Sequence, residues 1–177
     1  MKKGFLFLLF LPLIGYAQSD ILDSEISFEV DNLWVNTVEG TFGEVNGKAV
    51  FSKSNPENSI FDLSVKASTV DTGNEKRDEH LRTEDFFDVE NHPVITISST
   101  NISEIDDSTY RLEGSITIKG INRPFETDFR VLETKGDQVT LSSDFTIARE
   151  DFNLGESYGG FVIADEIDVS VVLVISS

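Results

Sequence analysis

Residues 72–93, TGNEKRDEHLRTEDFFDVENHP, combine many acidic and basic side chains with both histidines of the chain, His80 and His92. Such a mixture could form a metal site, a catalytic acid–base pair or the solvated surface of a helix. The histidines are 12 residues apart, no histidine stands at an i+4 position and the chain has no cysteine. This spacing does not match a zinc motif, so we expect neither a metal nor a cofactor.

The sequence also contains no recognisable catalytic motif. The sequence has no G-x-S-x-G elbow, and neither histidine stands near a distinctive serine, which argues against a nucleophilic triad. Asp85 and Asp88 could act as an acid and a base, but close carboxylate pairs arise by chance in a chain with 32 acidic residues. We therefore expect a protein that is not an enzyme and has no catalytic residues.

The N-terminus has the pattern of a signal peptide, residues 1–17. Lys2 and Lys3 precede the apolar run GFLFLLFLPLIG, and the small residues Gly15 and Ala17 precede a cleavage point at Gln18. The run is short for a bilayer span, although a retained anchor is the alternative. We expect a periplasmic or secreted protein with no membrane span after cleavage.

The remaining chain, 18–177, has a length that suits one domain. The formal charge of −18 becomes −20 when Lys2 and Lys3 are removed. Because so acidic a chain is repelled by phosphate backbones, nucleic acid is not an expected partner. Without cysteine, stability must come from a hydrophobic core rather than from disulfides.

Apolar and polar residues alternate through most of this domain, which predicts strands with one apolar face. The alternating segments include FDLSVKAS, YRLEGSITI, FETDFRV, VTLSSDFTI and IDVSVVLVI. Turn signals separate them, among them Asn46-Gly47 and Lys135-Gly136-Asp137. We predict an all-β fold, an eight-stranded antiparallel β-barrel in up-and-down order, because closure removes the exposed sheet edges.

The charged stretch is the one long interruption of this pattern. Thr72 or Asn74 can cap a short helix after the fourth strand region, and Pro93 ends helical structure before the next strand. We expect this helix to lie across one end of the barrel. Arg77 and Asp78 are adjacent and cannot face each other on a helix, so each should reach a separate partner at the rim.

Several of the 14 phenylalanines fall on the inward phase of their strands. An eight-stranded barrel can be filled by such side chains or can hold one small ligand. The pattern therefore leaves both a solid core and an apolar pocket open.

Three segments resemble the YceI-like family of exported, polyisoprenoid-binding proteins. The first, residues 72–99, matches a T-G-x-x-x-R-D-x-H-L segment followed by D-F-F-D-V and a proline. The others are LEGSITIKGINRPFETD, with Gly114, Gly120 and Pro124, and FTIAREDFNLG, with Arg149 and Asp151. A departure is that Asn32, Leu33 and Trp34 stand where the family usually has a histidine near the end of the first strand.

The resemblance implies a lipocalin-like barrel that holds a long apolar molecule, such as an isoprenoid chain, in its lumen. Burial of each methylene of such a tail is worth about 0.8 kcal/mol, so a chain of ten or more carbons binds well without a polar anchor. Such a site needs no catalytic residues. The helix and its flanking segment would cap one end, with Phe86 and Phe87 inward and the charges in solvent. The expected ligand-binding residues are Phe28, Phe42, Phe61, Phe86, Phe87, Phe129, Phe145 and Ile147.

Two other classes of function stay open at this point. One is a non-enzymatic interaction module with a filled barrel and an acidic surface that binds a basic partner, and the other is a carboxylate enzyme that acts on a lipid or a sugar. The state of assembly, including a homodimer, is also open.

Overall fold

The alternating segments form strands of one antiparallel sheet. The structure is a computed structural model that describes residues 21–32, 36–158 and 163–176. The predicted signal peptide lies outside these residues. The strands are β1 Ile21–Asn32, β2 Asn36–Phe42, β3 Asn46–Val50, β4 Ile60–Lys66, β5 Val94–Glu104, β6 Thr109–Ile118, β7 Ile121–Lys135, β8 Gln138–Ala148 and β9 Glu166–Ser176. One α-helix, α1 Glu75–Leu81, and three short 3₁₀ segments, Pro56–Asn58, Ala67–Thr69 and Arg149–Phe152, complete the elements of the described chain.

The sheet curls into a half-barrel with the order β2-β1-β9-β8-β7-β6-β5-β4-β3. Consecutive strands pair from β3 to β9, and β1 returns beside β9, as expected for an up-and-down meander. Register shifts at Ser99/Asn101 in β5 and Val131/Glu133 in β7 mark bulges, which increase local twist and bend a sheet.

The predicted count of eight strands is wrong, because the described chain has nine. Asn46-Gly47 was expected to make a hairpin turn, but these residues begin β3 and pair with Ser64 and Leu63 of β4. The chain instead leaves the sheet at 43–45, so β2 and β3 stand at opposite ends of the strand order. The backbone N–H of Val45 donates to Ser24 Oγ on β1 (2.9 Å), which holds this crossing segment against the sheet.

The helix follows β4 as predicted, and the interior contains two clusters of buried side chains. One cluster lies among the strands and includes Phe51, Phe61, Tyr110, Phe129 and Leu141. The other lies next to the helical segment and consists of Phe86, Ile116, Ile118, Phe152 and Leu154. Ile95, Ile97 and Phe125 pack against both clusters, so the clusters meet along these three side chains.

No helix within the described ranges is long and apolar enough to cross a membrane.

Candidate functional site

The cap of α1 is built around Thr72. Asn74 is the N-cap, and its side-chain oxygen accepts from the backbone N–H of Arg77 (3.2 Å). Asp78 is buried and accepts from both the backbone N–H (3.0 Å) and the hydroxyl (2.5 Å) of Thr72. Arg77 Nε donates to Thr72 Oγ1 (2.7 Å), and its Nη2 donates to the Thr72 carbonyl (2.9 Å).

Two expectations about this helix are therefore wrong. Arg77 and Asp78 do not reach separate rim partners, because both bind Thr72 in the turn that leads into the helix. The charges are also not all in solvent, because Asp78 is only 6% exposed. Its two hydrogen bonds offset the cost of burying the charge.

A third side chain, Arg82, binds the end of α1 to the segment that follows β4. Its Nε donates to the Ser68 carbonyl (2.9 Å) and its Nη2 to the Val70 carbonyl (2.8 Å), both in the segment that follows β4. The chain then turns back, with the Phe87 N–H donating to the Leu81 carbonyl (3.0 Å). This turn brings Phe86 and Phe87 to the inner side of the helical segment.

The ring of Phe86 rests on the backbone of Gly155. A Cβ at position 155 would lie 2.7 Å from Phe86 Cε1, and the residue has a φ of +63°, so glycine is required on both counts. The N–H of Gly155 donates to the Asp85 carbonyl (2.7 Å), which joins the segment after the helix to the segment after β8.

Arg149 organises this second segment from inside. It is 2% exposed, and all five of its guanidinium N–H positions have acceptors. The acceptors are the carbonyls of Ala164, Leu154, Gly155 and Tyr158 (3.0–3.2 Å) and the Asp165 carboxylate (2.8 Å). One side chain thus holds both ends of the segment between Leu154 and Asp165 against the end of β8.

These elements border a cavity of about 350 Å³ between the sheet and the helical segment. Its wall is predominantly apolar, with side chains from β1, β2, β4, β5, β6, β8 and β9 as well as from α1. Its volume falls in the range of roughly 300–1,000 Å³ that is usual for small-molecule sites. The free space does not support the filled barrel that the interaction-module hypothesis requires.

Six of the eight predicted ligand-binding residues line this cavity: Phe28, Phe42, Phe86, Phe87, Phe145 and Ile147. The rings of Phe28, Phe42 and Phe87 form a continuous arc, with centroid separations of 5.6 and 5.5 Å. The arc connects β1 and β2 to the segment after α1, so these strands and the helical segment share one apolar wall.

Phe61 and Phe129 do not line the cavity. They lie deeper between the strands, where their rings are in edge contact at 5.4 Å, and both are buried. They border a separate void of about 60 Å³. The strand phase correctly placed both rings inside the sheet, but it could not give their depth along the barrel axis.

Polar side chains border the cavity on the side of α1. Arg77, His80 and Tyr158 are part of its wall. His80 Nε2 lies 3.2 Å from Asp85 Oδ2 and 3.3 Å from the Tyr158 hydroxyl, and the His80 ring is in edge contact with Phe86 at 5.1 Å. These groups form a polar border beside α1. The other polar residues of the largely hydrocarbon wall are Asp31, Ser64, Thr96 and Arg149.

His80 was named from the sequence without a role, and the contacts of Tyr158 and Arg82 were not predicted. Tyr158 lies 78 residues from His80, and no local pattern signals such a contact. Among the described residues, no group of three or more histidine, aspartate or glutamate side chains could hold one metal ion.

The chain matches a known domain over nearly its whole length. The model of the YceI-like domain matches residues 18–175. UPF0312 protein ECA1782 of Pectobacterium atrosepticum is 27% identical over 139 residues, which are 76% of this chain and 72% of that protein. Protein YceI of Escherichia coli O157:H7 is 25% identical over 186 residues, with 97% of this chain and 96% of that protein covered.

Solved structures share the fold. BcnA of Burkholderia cenocepacia superposes with a TM-score of 0.81 at 23% identity and covers 86% of this chain and 96% of its own. A polyisoprenoid binding domain from Saccharophagus degradans, implicated in plant cell wall breakdown, gives a TM-score of 0.72 at 15% identity over 89% of this chain and 96% of its own. At these identities the likeness shows a common fold.

Proposed function

We propose, because the chain belongs to the YceI-like family, that it binds a long lipophilic molecule of the isoprenoid type in the cavity beneath α1. The observation that carries the proposal is the 350 Å³ cavity, whose wall is largely apolar and has the polar groups of Arg77, His80 and Tyr158 beside α1. A molecule with a long apolar tail and a small polar head matches that distribution. The polyisoprenoid binding domain with the same fold supports the choice of an isoprenoid over other lipids.

The tail would contact the apolar wall, including the arc of Phe28, Phe42 and Phe87. Each buried methylene contributes about 0.8 kcal/mol, so a tail of ten or more carbons binds firmly without a strong polar contact. The head would lie beside Arg77, His80 and Tyr158, whose N–H and O–H groups can donate hydrogen bonds to its oxygens.

The protein would act as a carrier that works by binding, without turnover of the lipid. Its place of action would be the periplasm or the outside of the cell. The export part of the proposal depends on the basic and apolar pattern of residues 1–17. An exported carrier of this kind protects an apolar chain from water between two membranes or surfaces.

Extraction and titration test the proposal. Organic extraction of the purified protein, with native mass spectrometry before and after, should release an apolar molecule. The extracted protein should then bind isoprenoid alcohols. A wild-type protein that carries no such molecule and binds no alcohol in the series would contradict the proposal.

A matched pair of variants tests the location. Val30 lines the cavity, whereas its neighbour Glu29 is exposed on the outer face of β1. Val30→Asn places an amide without a partner against the tail, at about 1–3 kcal/mol, and should weaken binding at least fivefold. Glu29→Asn should leave the affinity unchanged. Equal affinities for both variants would place the ligand elsewhere.

A further inference from the structure

The cavity ends at a wall, and a second void lies behind it. The cavity of about 350 Å³ and the void of about 60 Å³ share four lining residues: Leu63, Ile97, Phe145 and Val171. These four side chains therefore separate the two spaces.

Strand β8 shows the order of features along the interior. Ile147 and Phe145 line the cavity, as does Arg149 directly after the strand. Phe145, Ser143, Ser142 and Leu141 line the void. Alternate residues of a strand point to one face, and each step of two residues advances about 6.6 Å. Phe145 is the residue of β8 that borders both the cavity and the void.

The wall is assembled from both sides of the half-barrel. Leu63 and Ile97 are direct partners on β4 and β5. Phe145 pairs with Val169 on β9, so Val171 is its diagonal neighbour there. Phe145 is the largest of the four wall residues and is only partly buried, as expected for a ring with one side against open space.

Phe125 of β7 supports the ring of Phe145. The centroids are 4.9 Å apart and the rings meet edge to face at 74°. Phe125 also packs against both core clusters. Because Phe125 fixes the Phe145 ring from the side, we expect that ring to resist displacement by a ligand.

Behind the wall, aromatic rings form part of the lining of the void. Phe61 and Phe129 line it, and Phe51 and Tyr110 contact Phe129 at 5.7 and 5.5 Å. The void is several times larger than the roughly 10–15 Å³ that a water-sized group needs, so it could hold a short extension of a hydrocarbon tail.

We propose, on the basis of the function proposed above, that Phe145 sets the longest tail that the protein accepts. The polar border beside α1 places the head of the ligand at the other end of the cavity, so the end of the tail meets the Phe145 ring. A tail within this length is buried throughout. A longer tail must fold back or leave its first carbons in water, and it gains nothing from the extra unit.

The test measures affinities of wild type and variants for isoprenoid alcohols that differ by one five-carbon unit. In wild type, affinity should rise with length, by about fourfold for each methylene buried, and then level off. Phe145→Ala joins the void to the cavity, so it should bind the alcohol one unit beyond the wild-type plateau at least tenfold more tightly than wild type does. Phe145→Trp should end the rise one unit earlier.

Two further variants keep the result interpretable. Phe145→Leu, a smaller change in a partly buried side chain, should show the same shift in weaker form if Phe145→Ala does not fold. Phe129→Leu enlarges the void without opening the wall, so the affinity of this variant should level off at the same tail length as in wild type.

The possible failures are distinct. Wild-type protein that binds no alcohol would contradict the proposed function, and the inference with it. Wild-type binding with the same plateau in all Phe145 variants would contradict the inference alone. A shifted plateau in Phe129→Leu would move the stop to the deeper aromatic rings.

Discussion

Tyr110 is the residue whose environment fits its chemistry least well. Its side chain is fully buried against Phe51 and Phe129, with ring contacts at 4.8 and 5.5 Å. The hydroxyl has no hydrogen-bond partner within the described part of the chain. A buried polar group in this state costs about 1–3 kcal/mol, and the packing of the ring must offset that cost.

Removal of the hydroxyl should therefore stabilise the protein. Tyr110→Phe keeps the ring contacts and is expected to raise the free energy of unfolding by about 1–3 kcal/mol in urea denaturation. Lower stability would contradict this expectation and would indicate that the hydroxyl has a partner, such as an internal water.

Tyr110 also makes the free energy of unfolding depend on pH. Burial raises the pKa of Tyr110, with additional contributions from Glu104, Asp107 and Asp106. Below about pH 10 the phenol is neutral in both the folded and the unfolded states. Above it the unfolded state loses the proton first, so the contribution of Tyr110 to stability falls as pH rises toward its folded pKa. Tyr110→Phe should lose less stability than wild type over this alkaline range.

Helix α1 is too short to be stable alone, since isolated helices of fewer than about 12–15 residues are marginal in water. Its seven residues are held by Asp78, which binds Thr72 in the turn before the helix, and by Arg82, which binds carbonyls after β4 from the C-cap position. The position of the cavity wall next to Phe86 and Phe87 depends on these few hydrogen bonds.

Asp78→Ala should test the dependence on this cap. It removes two hydrogen bonds to a buried carboxylate and leaves the Thr72 N–H without its acceptor, so unfolding should become easier by about 1.5–3 kcal/mol. Since Asp78 does not line the cavity, the tail length at which affinity levels off should not change. A shifted plateau with unchanged unfolding in urea would instead place Asp78 in ligand recognition. Glu79→Ala, an exposed neighbour on the same helix, is the control.

The sequence predicted what is local in this fold and missed what is distant. The alternation of apolar and polar residues predicted most of the strands. Asn74 was one of the two predicted helix caps. The turn at Lys135-Gly136-Asp137 joins β7 and β8 as expected. Arg149 and Tyr158 act through partners that no spacing reveals. Phe129 and Phe145 share an inward phase, but only their register, Phe129 opposite Ser143 and Phe145 opposite Val169, shows that they lie at different depths.

The whole molecule divides into a closely packed part and an open part. The strand cluster around Phe51, Phe61, Tyr110 and Phe129 occupies one end of the half-barrel and borders a void of only about 60 Å³, while the other end keeps the 350 Å³ cavity. Empty apolar space forfeits packing contacts on every side chain that borders it. A tail in the cavity would restore these contacts, so the bound lipid would act as part of the hydrophobic core.

Ligand loading should therefore raise thermal stability. A ligand at about 100 times its Kd, bound by the folded state only, adds roughly 2.7 kcal/mol. For a domain of this length each kcal/mol raises Tm by about 2–4 °C, so the extracted protein should gain about 5–11 °C when it is saturated with an isoprenoid alcohol of the preferred length. Differential scanning calorimetry at several ligand concentrations measures the gain. Val30→Asn at the same concentrations should gain less because its affinity is lower, while Glu29→Asn should gain as much as wild type. An equal rise in Tm for all three proteins would mean that the alcohol stabilises them without entering the cavity.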